Sequence, residues 1–299
     1  MQQVVFLFLA LFVQSYYALN VTLIPSFDIQ SISNDKLTPI SCYDDCEIVE
    51  SYIHFQEYYS KNPDILREIP NYEHFKDYLS KEGDLKRINN HAIKYAEKVG
   101  FCYDHSKYAV ARSAIVITDM QDAFMSNGPV AVNGAEYAIN HINKAKKYHE
   151  HSIHSLDTHL PLWSLSFSTT PDYVTTFYPH ARPGTSDFNE VDGLNTCADL
   201  YVGKKDFAIT SNPLFKEFLL NNDITKVTFT GVAGDYCVNA GILGVLDDPQ
   251  LSHLKVGLYE PGVKWVFPDS ISSQKLNLES YSKFKWINDE EELLYFLNN

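Results

Sequence analysis

From about residue 111 the chain alternates short apolar runs with amphipathic stretches, and that alternation leaves few architectures open. Residues 114–118 (AIVIT), 152–157, 199–202, 226–232 (KVTFTGV), 254–259 and 281–287 read as extended. Between or after them, residues 134–150, 212–221, 238–246 and 290–297 carry helical patterns. Strands that alternate with helices predict βαβ units, a parallel sheet and helices packed on its faces. In such a sheet ligands bind beyond the carboxyl ends of the strands, so the polar residues that follow each apolar run are the candidate functional residues.

Residues 19–110 have a different character. Helix-like stretches at 46–59 and 72–79 are separated by Pro25, Pro39, Pro63 and Pro70, and little there reads as a buried strand. This segment is expected to form a mostly helical extension before an α/β domain at residues 111–299. Residues 4–13 (VVFLFLALFV) are apolar but too short to span a bilayer, which needs about 20 residues. Small residues follow at Ser15 and Ala18, so residues 1–18 are read as a cleaved signal peptide. The mature chain is therefore expected to be secreted or to reside in the lumen of the secretory pathway, with no membrane association after cleavage. Asn20-Val21-Thr22 is a glycosylation sequon near the new terminus.

The chain carries 38 acidic and 24 basic side chains, a net charge of −14, which argues against a nucleic-acid partner. Five cysteines are too few for a disulfide-built scaffold of 299 residues. Four of them, Cys42, Cys46, Cys102 and Cys197, make an even set suited to an oxidising compartment.

The fifth, Cys237, follows the 226–232 run and leads into a helix. A thiol at a helix N-terminus is expected to have a lowered pKa. Asp119, just after AIVIT, can take its proton, and Lys204 or Lys205, after the 199–202 run, can hold the resulting charges. Singly, Cys237 could be a structural cysteine and Asp119 a helix cap; their shared position at strand ends favours chemistry. Asp157 and His159 form a D-x-H pair whose side chains point the same way on an extended chain. With His180 they make a candidate site for a divalent metal such as Zn, Fe or Mn.

Together these residues resemble the isochorismatase-like cysteine hydrolase superfamily, and within it the nicotinamidases. Asp119, Gln121 and Phe124 are similar to the D-x-Q-x-D-F box, and GVAGDYCV at 231–238 to G-V-A-T-D-Y-C-V. The resemblance implies a three-layer, Rossmann-like parallel-sheet domain. It makes Asp119, Lys204 and Cys237 catalytic, with Lys204 favoured over Lys205 when the chains are registered on Asn212-Pro213. It also implies a cis peptide between Val232 and Ala233, and an oxyanion hole built from the amides of Ala233 and Cys237. Asp157, His159 and His180 fall where nicotinamidases hold their metal, most often expected here as Zn, and Phe124 with Phe177 or Tyr178 would stack around the substrate. Where relatives often place a further histidine, this chain has Trp163-Ser164-Leu165.

The implied reaction is hydrolysis of a small neutral amide, nicotinamide first, through a Cys237 thioester. The alternatives are a related amidase acting on a carbamoyl or ureido compound, and a secreted binding or structural protein that keeps the fold without turnover. Relatives often associate, which implies a homo-oligomer, and the extension offers a surface to a protein partner.

Overall fold

The computed structural model describes residues 81–99, 108–159 and 180–299. The signal peptide, the sequon, the helix-like stretches at 46–59 and 72–79, residues 163–165, Phe177, Tyr178, Cys42, Cys46 and Cys102 lie outside them. Among the described residues, no helix is long and apolar enough to cross a membrane.

Six strands form one sheet: β1 Val110–Thr118, β2 His149–Asp157, β3 Leu200–Lys204, β4 Lys226–Gly231, β5 Lys255–Val263 and β6 Phe284–Ile287. Their order is β3-β2-β1-β4-β5-β6, and every pair is parallel. Strands covered on both faces need apolar side chains on both. In β1, Ala114 and Val116 enter one core layer while Ile115 and Ile117 enter the other. The first layer holds α3 (Pro213–Asn221), α4 (Asn239–Leu246) and α5 (Ile271–Glu279); the second holds α2 (Ala138–Lys146) and α6 (Glu290–Asn298). Helix α3 starts where Pro213 follows Asn212, whose side chain accepts from the Leu214 amide. The expected three-layer parallel-sheet architecture is what the chain adopts.

One helix comes from the region expected as an extension. Helix α1 (Lys81–Val99) lies against β3, and its Ala92, Tyr95 and Ala96 pack with Leu156, Phe188 and Tyr201. The approach is so close that a Cβ on Gly203 would lie 2.6 Å from the Ile88 carbonyl oxygen. The Glu190 amide donates to the Tyr95 hydroxyl at 2.9 Å, which ties the helix to the loop before β3. Cys197, in that loop, is disulfide-bonded.

The helix expected over 134–150 stops at Lys146, and His149 and His151, ahead of the run expected to be extended, join His154 in β2. Their rings are accommodated by partners remote in sequence. His149 bonds the Ala145 carbonyl at 2.9 Å and the Thr228 hydroxyl at 2.8 Å, and His154 pairs with Glu190. Helix α5 had no sequence reading, because Leu278 is its one buried residue and leaves little periodicity.

The strand order reverses direction between β1 and β4, so a crevice opens above their carboxyl ends. Thr118 lies between Ser155 and Gly231, and Asp157 lies opposite Lys204. Residues just past four neighbouring strands are therefore brought to one edge.

Full burial lowers the His149 pKa from 6.5 to about 4. The ring is neutral in both states above pH 6.5, whereas between that pH and about 4 only the unfolded chain takes up the proton. Stability should thus fall with pH across this window, by about 3 kcal/mol from this group. In denaturant titrations, His149→Gln should remove close to one proton from the uptake on unfolding.

Candidate active site

Asp119 is the first residue past β1, fully buried, with a left-handed φ of 50°. That conformation is uncommon for a residue with a Cβ, though Asp tolerates it better than most. Its amide donates to the Ser155 carbonyl at 3.1 Å, and Ser155 Oγ donates to Oδ1 at 2.8 Å. Gly231 sits beside it with φ 101°, where a Cβ would lie 2.0 Å from the Thr118 carbonyl oxygen. Only glycine lets β4 end this close to Asp119.

Lys204 closes β3, and its Nζ lies 2.7 Å from Asp119 Oδ2, 3.2 Å from Asp157 Oδ1 and 3.4 Å from Cys237 Sγ. Lys205 lines the adjoining cavity instead, so of the two candidate lysines the structure brings Lys204 to the thiol. Cys237 lies in a single π-helical turn, Gly234–Val238, ahead of α4. The Val232–Ala233 peptide is cis. Gly234 donates to the Lys264 carbonyl at 2.8 Å, and Asp235 accepts from the Val266 and Phe267 amides, which seats the turn against the segment after β5.

Burial dominates the electrostatics here. It pushes the Cys237 thiol well above its ordinary pKa, against the pull of the Lys204 ammonium. The expected lowering at a helix N-terminus is therefore not what the structure holds: a partial dipole charge is small beside complete desolvation. Burial also raises Asp119, with Lys204 opposing it. For Lys204, burial favours the neutral form, but Asp119 and Asp157 outweigh it and hold the ammonium charged. Burial would raise Asp157 too, yet His159 and Lys204 keep its carboxyl well below the usual range. The resting arrangement is a protonated thiol beside a carboxylate of raised basicity, both facing a fixed cation.

Asp157 ends β2, and its Oδ2 lies 2.9 Å from His159 Nε2 and 3.1 Å from His180 Nε2. One ligand atom from each of the three lies within 4.8 Å of the others, and all three residues are buried. Atoms bound at about 2.1 Å to one tetrahedral or octahedral ion are about 3.0–3.4 Å apart, so these residues fit a small divalent cation. Gln121 fixes the strand end: its Oε1 accepts from the Asp157 amide at 2.7 Å, and its Nε2 donates to the Asp157 and Phe188 carbonyls. The His159 amide donates to the Ala181 carbonyl at 3.1 Å, which brings His180 into place.

Residues 113–248 match the family model of the isochorismatase domain. Over that segment the chain is similar to the isochorismatase domain. The nicotinamidase/pyrazinamidase of Mycobacterium tuberculosis is 29% identical over 140 residues, which cover 42% of this chain and 74% of that protein. Among solved structures, the pyrazinamidase/nicotinamidase of Streptococcus mutans aligns with a TM-score of 0.51 at 17% identity, over 58% of this chain and 99% of that one. The nicotinamidase/pyrazinamidase of Bacillus subtilis gives 0.51 at 13%, over 59% and 99%. At these identities the structural likeness speaks for the fold.

The α/β domain encloses a cavity of about 100 Å³ above Cys237. Phe124, Val130 and Val132 give it an apolar wall, Ala233 and Tyr236 line it beside the thiol, and His159 and His180 open onto it. Phe124 meets His180 edge to face, with ring centroids 5.5 Å apart. Ser155 escaped the sequence reading. Ser155 lies inside a strand run, and only the register with β1 turns its hydroxyl to Asp119.

Lys204→Met would leave two buried carboxylates facing each other without their cation, and should cost about 3 kcal/mol or more of stability. Lys205→Met, at a half-buried position, should cost less than about 1 kcal/mol. Chemical denaturation of the two variants distinguishes the positions.

Proposed function

We propose that this protein is a metal-assisted cysteine amidohydrolase whose substrate is nicotinamide, converted to nicotinate and ammonia. The observation that carries the reading is the convergence of Asp119, Lys204 and Cys237 in one small cavity with the Asp157, His159 and His180 cluster. The M. tuberculosis relative bears the name of that activity.

The substrate carboxamide sits over Cys237 while the apolar wall holds the remainder of the molecule and excludes water. Asp119 takes the thiol proton as Sγ attacks the carboxamide carbon, and the amides of Ala233 and Cys237 stabilise the oxyanion. Each such donor is worth about 3 kcal/mol in known oxyanion holes. Lys204 stays charged throughout and balances the thiolate and carboxylate. The proton on Asp119 then passes to the departing nitrogen, ammonia leaves, and a thioester remains. Asp119, a carboxylate again, draws a proton from water, whose oxygen adds to the thioester. Breaking the C–S bond releases nicotinate and restores the thiol. Asp157, His159 and His180 would hold a divalent cation, which would supply a Lewis acid for the ring nitrogen of the substrate.

The mature enzyme acts in the secretory pathway or beyond it. The apolar run at 4–13 supports this, as does the disulfide at Cys197, since such bonds persist in oxidising compartments.

Purified protein given nicotinamide and zinc should release ammonia, and Cys237→Ala should reduce that release by at least about a thousandfold. No ammonia from the wild type would refute the substrate. Chelation should stop turnover and added Zn, Mn or Fe should restore it. His159→Ala should bind less metal by elemental analysis, and retention of a full equivalent would disprove the assigned ligands.

A further inference from the structure

Sγ and the two amides proposed to hold the oxyanion all belong to residues 233–237, one short piece of backbone. Inside it, the Tyr236 and Val238 amides donate to the Ala233 carbonyl at 3.0 and 3.1 Å. Those bonds shape the turn but do not orient it in the cavity. Gly234 has no side chain to do so, and the Trp265 ring fills that space: a Cβ on Gly234 would lie 2.5 Å from it. Orientation comes from the segment after β5. The Lys264 amide donates to the Gly231 carbonyl at 3.2 Å, and the Lys264 carbonyl accepts from the Gly234 amide at 2.8 Å. Trp265 is buried and stacks on Trp286 of β6 with ring centroids 5.9 Å apart, which anchors the segment in the core. Beyond it Val266 and Phe267 are exposed, and the Asp235 carboxylate accepts from their amides at 3.0 and 2.8 Å. Bonds of this charge-assisted kind are about twice as strong as neutral ones. Val266 also lines the cavity, so one carboxylate ties the nucleophile turn to the cavity wall.

We infer that Asp235 is a positioning residue for the amide hydrolysis: its two bonds hold the turn so that Sγ and the Ala233 and Cys237 amides meet the same carbonyl group. This rests on the amidase reading of the site. Asp235 does not line the cavity, so it acts through the backbone it fixes rather than on the substrate. Misplacing reacting groups by about 1 Å costs up to about a hundredfold in rate. The loss falls on the transition state, where the oxyanion exists, and spares the binding of the planar amide.

The test compares a mimic of the transition state with the ground state. Pyridine-3-carboxaldehyde, the aldehyde analogue of nicotinamide, serves as the mimic: Sγ adds to its carbonyl carbon, the π electrons move to oxygen, and the thiol proton passes to Asp119. Its dissociation constant from the zinc-loaded protein is measured beside kcat for ammonia release. Calorimetric binding of nicotinamide on the Cys237→Ala background reports the ground state without turnover. Asp235→Ala should weaken aldehyde binding and lower kcat, each by about tenfold or more, while nicotinamide binding stays within about twofold. Asp235→Asn keeps one acceptor oxygen and the shape of the side chain. It should fall between the two, and it carries the test if the alanine variant does not fold. Unchanged kcat and aldehyde binding in the folded variants, or nicotinamide binding that falls as far as aldehyde binding, would overturn the inference. Wild-type protein that releases no ammonia would refute the amidase reading and the inference with it. Release by the wild type with the variants unchanged would refute only the role of Asp235.

Discussion

The Lys204 ammonium is the contact on which the rest of the site depends. It stands within 3.4 Å of the proposed nucleophile, its proposed proton acceptor and the carboxylate of the candidate metal cluster. A buried cation is expensive to desolvate, and one paired to two carboxylates is held both charged and fixed. The same cation reaches both Asp119 and Asp157, so the two halves of the site share one position. That position is set by the register of β2 against β3, where Asp157 lies opposite Lys204.

Much of the molecule keeps that register. Helix α1 lies on β3 by way of Gly203 and Ile88, and its Tyr95 accepts from the Glu190 amide. Gln121 bonds the backbone of Asp157 on both sides and also reaches the Phe188 carbonyl. A helix from a region with no strand signal thus supports the lysine strand. The turn bearing Cys237 is held from the other side, through Gly234, Asp235 and the segment after β5.

Strands of this sheet were legible because burial on both faces demands continuous apolar runs, and such runs stand out in 114–118 and 226–232. The acids, histidines and lysine at their ends were legible for the complementary reason, that a buried parallel sheet has polar chemistry chiefly at its carboxyl edge. The histidines of β2 were not. A buried imidazole needs partners such as Thr228 and Glu190, which are 79 and 36 residues away, and no local pattern announces them.

By itself the sequence determined the layered parallel sheet, the motifs at 119–124 and 231–238, and the set of side chains able to act as nucleophile, base, cation and ligands. Those follow from periodicity and residue chemistry, which are local. The tertiary structure decided which lysine reaches the thiol, that Ser155 and Gln121 hold the two aspartates, and that α1 closes on the lysine strand. It also decided the sign of the thiol shift, since desolvation is a property of everything packed around Cys237 and outweighs the dipole that its local sequence suggested.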